Sequence, residues 1–103
     1  MCGICGFVGN GNKSILINMR EKMVHRGPDD AGIYLNSENQ IGLGHRRLSI
    51  IDLSERGRQP MESSSGENVI TYNGEVYNYL EIKRELEKNG IYFRSNTDTE
   101  VVL

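Results

Sequence analysis

The first candidate for chemistry lies at the start of the chain, in Met1-Cys2-Gly3-Ile4-Cys5-Gly6. A cysteine behind an initiator methionine is small enough to permit removal of that methionine. Removal would leave Cys2 with a free α-amino group beside its own thiol. An α-amino group titrates near ~7.7–8.0, so it can take a proton at cellular pH. Nucleophile and base would then belong to one residue, as in the N-terminal-nucleophile variants of triad chemistry. Two blander readings compete. Cys2 is a chance second residue and Cys5 a buried small hydrophobe, or Cys2-x-x-Cys5 is a metal or redox pair. A redox pair normally follows a strand and opens a helix, whereas this one runs into the strand-like Gly6-Phe7-Val8-Gly9. Zinc needs two further ligands, and His25 and His45 do not form the close pair of a zinc finger. No metal site is therefore expected.

A thiol that attacks an acyl carbon needs a substrate clamp and an oxyanion hole. Arg46 and Arg47 stand at the mouth of an apolar run, Leu48-Ser49-Ile50-Ile51. They are either a charged edge that blunts a strand or a guanidinium that grips a carboxylate in bidentate fashion. Asn73-Gly74 follows the apolar stretch Val69-Ile70-Thr71-Tyr72. Asn-Gly is first a turn signal, yet Tyr77 to Glu87 have helical spacing and no partner strand follows. The pair then marks a strand-to-helix junction, where a backbone N–H can point at an anion. His25-Arg26-Gly27-Pro28-Asp29-Asp30-Ala31-Gly32 is a loop, either a solvated connection or a shaped wall beside a site.

The elements that must position these residues are legible in outline. Residues 4–8 read as a short strand closed by Gly9-Asn10-Gly11. Residues 14–24 read as a helix capped by Ser14, with Ile15, Leu16, Met19 and Met23 on its packing face. Residues 33–35 and 41–44 read as a hairpin around Asn36-Ser37-Glu38-Asn39, and 47–53 as further strand material. Residues 54–68 read as a polar surface loop and 69–72 as a strand. A helix over 77–87 is capped by Asn78 and closed by Gly90. Residues 91–94 read as a last strand. Thr97-Asp98-Thr99-Glu100 has capping-box spacing, so a helix begins there and stops after one turn. That abrupt stop makes a piece of a longer chain the expectation.

The 103 residues suffice for one small domain with a modest core. With 37% hydrophobic and 25% charged residues, the composition is that of an ordinary globular protein. A net charge of −2 gives no reason to expect nucleic acid or an anionic membrane as partner. No apolar run approaches membrane-span length, and no secretory signal pattern is present. Two cysteines three positions apart cannot form a disulfide framework. A reducing, cytoplasmic setting is expected.

Five stretches together resemble one family. They are Met1-Cys2-Gly3-Ile4, His25-Arg26-Gly27-Pro28-Asp29, His45-Arg46-Arg47-Leu48-Ser49-Ile50, Tyr72-Asn73-Gly74-Glu75 and Thr97-Asp98-Thr99-Glu100-Val101. In this order they resemble the N-terminal glutaminase domain of glutamine-hydrolysing asparagine synthetases. These are class II glutamine amidotransferases of the N-terminal-nucleophile hydrolase group. The His-Arg-Gly-Pro-Asp loop favours asparagine synthetases over purine- and glucosamine-forming relatives.

The resemblance implies an α+β fold, a four-layer αββα sandwich of two antiparallel sheets between helices, with residues 1–103 as the N-terminal portion of the domain. It implies Cys2 as nucleophile on the side-chain amide of L-glutamine, and Asn73 with Gly74 as oxyanion hole. Arg47 would clamp the substrate carboxylate, Glu75 and Asp98 its ammonium, and the backbone of Leu48, Ser49, Ile50 and Ile51 would line the same pocket. Asp98 has a blander role open to it, as an acid at a helix N-terminus. No cofactor is implied within this portion. ATP and magnesium would belong to a following synthetase domain, the implied partner within the same chain, which would use the ammonia to amidate aspartate; a homodimer of the full-length enzyme is left open. The alternatives are the amidotransferase domain of a related enzyme that amidates another carboxylate, or a catalytically idle piece with only a binding or structural role. Arg46 stands where relatives often carry an acid, at a position expected to be exposed. Cys5 replaces a small apolar residue and is read as packing.

Overall fold

Backbone alternation in three antiparallel strands decides which side chains meet. The computed structural model describes residues 2–48 and 54–103. Strand β1 (Gly3–Val8) is followed by helix α1 (Lys13–Glu21), β2 (Asp30–Asn36) and β3 (Ile41–Arg47). The sheet order is β1-β3-β2. Gly3 lies opposite Arg46 and Cys5 opposite Gly44, while Asp30 lies opposite Arg47. Successive side chains point to opposite faces, so Cys5, Gly44 and Arg46 share one face and His45 and Arg47 the other. Helix α1 covers the first face with the fully buried Leu16, which contacts the sheet at Gly42 and Gly44. The second face carries the site at the end where β3 finishes.

The helix runs from Lys13 to Glu21, shorter than the expected 14–24. Its cap is Asn12, not Ser14: Asn12 sits in an extended conformation and its side chain accepts the Ile15 N–H at 2.9 Å. Beyond Glu21 the chain continues in tight turns, with Met23 N–H to Arg20 O and Arg26 N–H to Met23 O. These turns seat Met23 against Gly3. The hairpin of β2 and β3 is present and longer than its apolar residues suggested, because its polar ends are paired as well. The strand reading of 47–53 reaches the described residues at Arg47, the end of β3, and at Leu48; 49–53 lie outside them.

The stretch 54–68 is not simply a surface loop. It holds a 3₁₀ turn (Glu55–Gly57) and strand β4 (Met61–Glu62), which pairs with β5 (Val69–Ile70). Gly57, Gln59 and Met61 are buried, and the backbone of Gln59 lies against Gly32 on the site face of the large sheet. Only 63–68 form an exposed tight loop with Ser63 N–H bonded to Asn68 O. β5 ends at Ile70, two residues short of the expected strand, because side chains take over the backbone groups of Tyr72.

Helix α2 (Tyr79–Lys88) occupies the expected region. Asn78 precedes it without a side-chain capping bond. Its C-terminus is closed as anticipated: Gly90 adopts φ +88°, its N–H reaches Glu87 O, and the Ile91 N–H reaches Leu86 O. This is the Schellman arrangement, which needs a left-handed residue where Gly90 stands. No strand forms over 91–94. Tyr92 is exposed, and the N–H groups of Arg94 and Ser95 donate to the Glu100 carboxylate instead of to a ladder. Helix α3 (Asp98–Val102) follows, with the Thr97 hydroxyl accepting the Glu100 N–H.

The architecture is α+β with antiparallel sheets and helices. No helix among the described residues is long and apolar enough to cross a membrane.

Candidate active site

Five separated parts of the chain meet around a cavity of about 320 Å³. They are the chain start, the end of β3 with Leu48, the stretch holding Gly57 and Gln59, the segment between β5 and α2, and the start of α3. Of the residues nominated from sequence, Cys2, Arg47, Leu48, Asn73, Gly74, Glu75 and Asp98 all line this cavity. Ser49, Ile50 and Ile51 lie outside the described residues.

Cys2 continues β1 at its open end. Its Sγ accepts the Leu48 N–H at 3.3 Å and donates to the Leu48 carbonyl at 3.7 Å. Its own carbonyl accepts from Arg26 Nε at 3.1 Å. The loop holding Arg26 is tied down rather than a loose connection: Gly27 O accepts from Arg46 Nε, and Asp29 N–H donates to Arg47 O. It does not line the cavity, and residues 30–32 of the expected loop belong to β2. Cys5 lies on the opposite face, its sulfur against Gly44 near Arg20. Burial pushes the Cys5 thiol pKa up, more than the Arg20 charge and a Gly44 hydrogen bond draw it down. The two thiols thus face different surroundings and do not form one ligand pair.

The same alternation separates the two arginines. Arg46 points to the helix face, where its side chain is 11% exposed and pairs with Glu21 at 3.3 Å. It is not the exposed residue expected at that position; the Gly27 carbonyl and Glu21 hold it. Arg47 points into the cavity and is buried. Its Nη1 donates to Ser54 O at 2.8 Å. A Cβ on Gly57 would stand 2.5 Å from its Nη2, so a larger residue there would displace the guanidinium.

Across the cavity, Gly74 packs under the Tyr72 phenol; a Cβ would lie 2.7 Å from that hydroxyl. Asp98 is buried, and its Oδ2 accepts the Val76 N–H at 2.8 Å. Glu75 is exposed at the rim. The cavity thus offers one buried cation, one buried anion and a second anion at its edge.

Sequence reasoning weighed His45 only as a zinc ligand, gave it no role in this site, and passed over Gln59. His45 is 1% exposed, and its Nε2 meets the Tyr72 carbonyl at 3.2 Å. A carbonyl only accepts, so Nε2 carries the proton. Burial lowers the His45 pKa, the Tyr72 carbonyl opposes, Arg47 lowers it further and Asp30 partly offsets that. The available signal was its place two residues before Arg47 on a strand, which puts both on one face. Gln59, in a polar stretch, offered no such periodicity. Its Oε1 accepts the Tyr72 N–H at 2.6 Å and its Nε2 donates to the Thr99 hydroxyl at 3.1 Å.

The cavity thus joins the Cys2 thiol to Asn73-Gly74 and to the buried Arg47 and Asp98. The chain belongs to the glutamine amidotransferase domain family, whose model matches residues 1–103. It is 44% identical to a glutamine-hydrolysing asparagine synthetase of Bacillus subtilis, over 97% of this chain and 17% of the relative. It is 36% identical to an asparagine synthetase of Arabidopsis thaliana, over 99% of this chain and 18% of the relative. A glutamine–fructose-6-phosphate aminotransferase of Aquifex aeolicus is 32% identical, over 99% of this chain and 22% of its own length. The chain therefore spans about a fifth of the length of these curated relatives.

Proposed function

We propose that this chain is the nucleophile-bearing part of a glutaminase domain, and that ammonia released from L-glutamine is the product passed on. The observation that carries this reading is the convergence of Cys2, Arg47, Asn73-Gly74 and Asp98 on one cavity. Removal of Met1 frees the Cys2 α-amine, which takes the thiol proton, directly or through a water. The sulfur then bonds to the carboxamide carbon. The oxyanion forms between the Asn73 side-chain amide and the Gly74 N–H, an arrangement in which losing one donor costs ~2.7–4 kcal/mol of barrier. The C–N bond breaks as the amine returns its proton to the leaving nitrogen. Water hydrolyses the glutamyl thioester to glutamate and restores the thiol.

Arg47 serves the substrate carboxylate, and Asp98 with Glu75 the ammonium. The Leu48 N–H, 3.3 Å from the Cys2 sulfur, orients that sulfur toward the cavity. The 44% identity to an asparagine synthetase supports aspartate as the eventual acceptor, amidated with ATP and magnesium in a synthetase domain beyond this portion. The likeness to a glutamine–fructose-6-phosphate aminotransferase supports a second reading, transfer to a different acceptor. Residues 1–103 then form the N-terminal part of a four-layer αββα domain, in a cytoplasmic enzyme that is free to dimerise.

The test is glutamate release by the full-length gene product. Cys2→Ala is expected to abolish it, and wild-type release by that variant would overturn the reading. Incubation with ATP and aspartate, or with fructose 6-phosphate, separates the two acceptor readings by which product forms.

A further inference from the structure

We propose that Gln59 is a positioning residue for the oxyanion pair, and that it ties the pair's geometry to the α3 turn that holds Asp98. The proposal rests on the reading of Asn73 and Gly74 as oxyanion donors. Gln59 is buried, and its carboxamide is used at both ends: Oε1 takes the Tyr72 N–H at 2.6 Å, Nε2 reaches the Thr99 hydroxyl at 3.1 Å. His45 Nε2 holds the Tyr72 carbonyl at 3.2 Å. Both backbone groups of the residue before Asn73 are thus held by buried side chains, at the point where the β5 ladder has already ended.

Peptide groups are planar, so Gln59 on the Tyr72 N–H fixes the plane that enters Tyr72, and His45 on the Tyr72 carbonyl fixes the plane that leaves it and ends at the Asn73 Cα. From that atom the Asn73 side chain departs, and so does the next plane, which carries the Gly74 N–H. The far end of the segment is tied as well, by the Val76 N–H on Asp98 Oδ2 at 2.8 Å. Residues 72–76 are therefore anchored twice to the first turn of α3, through Gln59–Thr99 and through Asp98. Glutamine suits position 59 because it must accept from an N–H at one end and can donate to a hydroxyl at the other. Leucine does neither. Glutamate can accept from both, with the Thr99 hydroxyl as donor, but only by burying a charge beside the place where an oxyanion forms.

The test measures glutaminase turnover of the full-length gene product as wild type, Gln59→Leu, Asn73→Ala and the double variant. Thermal melting of each checks that it folds. Gln59→Leu is expected to lower kcat about ten- to hundredfold through misplaced donors, with a smaller change in KM. In the Asn73→Ala background the same substitution is expected to cost clearly less, because one of the two donors it positions is gone and only the Gly74 N–H is left to misplace. Wild-type kcat in Gln59→Leu, or equal losses in both backgrounds, would overturn the positioning role and leave the site reading intact. Wild-type kcat in Asn73→Ala would overturn both. Should Gln59→Leu fail to fold, Gln59→Glu replaces it. Its kcat relative to wild type is expected to rise as pH falls and the carboxylate is neutralised; a pH profile and kcat equal to wild type would sink the proposal.

Discussion

Arg46 and Arg47 are chemically identical neighbours with different tasks, and only strand register separates them. Arg47 faces the cavity and Arg46 faces α1, held by Gly27 O and Glu21. Lysine cannot reproduce a bidentate grip, and a hydrogen bond to a charged group is worth ~1.5–3 kcal/mol. Arg47→Lys is therefore expected to raise KM for glutamine about ten- to hundredfold in steady-state assays. Arg46→Ala is expected to leave KM alone and to lower unfolding stability by about 1 kcal/mol. His45 adds a pH signature. Burial sets its folded pKa below the unfolded value, despite the Tyr72 carbonyl and Asp30. Below about pH 6.5 the unfolded chain binds the proton more readily, so stability falls with acidification until the folded pKa is reached. Denaturant melts from pH 7.5 to 5 are expected to show this loss, and His45→Gln to flatten it. Cys2, Arg47 and Asn73-Gly74 could be nominated from sequence because their residue types offer specific chemistry and they sit in family-like motifs, and the structure places all of them on one cavity. His45 and Gln59 could not, since their roles arise from Tyr72 and Thr99, which lie 27 and 40 positions away along the chain.

At the scale of elements, local signals were legible where the chain satisfies itself locally. The Gly90 closure and the Thr97 cap are of this kind. The capping box was only half correct: the Thr97 hydroxyl takes the Glu100 N–H, but the Glu100 carboxylate turns to Arg94 N–H, Ser95 N–H and the Ser95 hydroxyl. That choice is why 91–94, apolar and β-branched enough to suggest a strand, never joins a ladder. It also sets where α3 begins, and so where Asp98 points. Glu100→Ala is expected to cost about 2 kcal/mol of stability and to raise KM for glutamine; a variant with both unchanged would show that the 94–97 loop holds itself. Strand β4 escaped sequence reading because two residues have no period, and its partner lies beyond a Gly/Ser-rich turn.

At the scale of the molecule, apolar burial is sparse among the described residues. Among the described residues Leu16 and Met61 are the buried hydrophobic side chains, while Ile4 is 46% and Val8 84% exposed on the sheet face opposite α1. Exposed strand faces of this kind favour association. The isolated 103-residue chain is therefore expected to melt broadly and to self-associate, by circular dichroism and sedimentation. The full-length product is expected to unfold cooperatively. A sharp two-state melt of the isolated monomer would contradict this.

The most direct test of the central claim is the intact mass of the purified, active full-length protein, read together with its rate of glutamine hydrolysis. The account predicts a protein lighter than its gene product by one methionine residue, with Cys2 first in the chain. Full activity in a protein that still carries Met1 would contradict it.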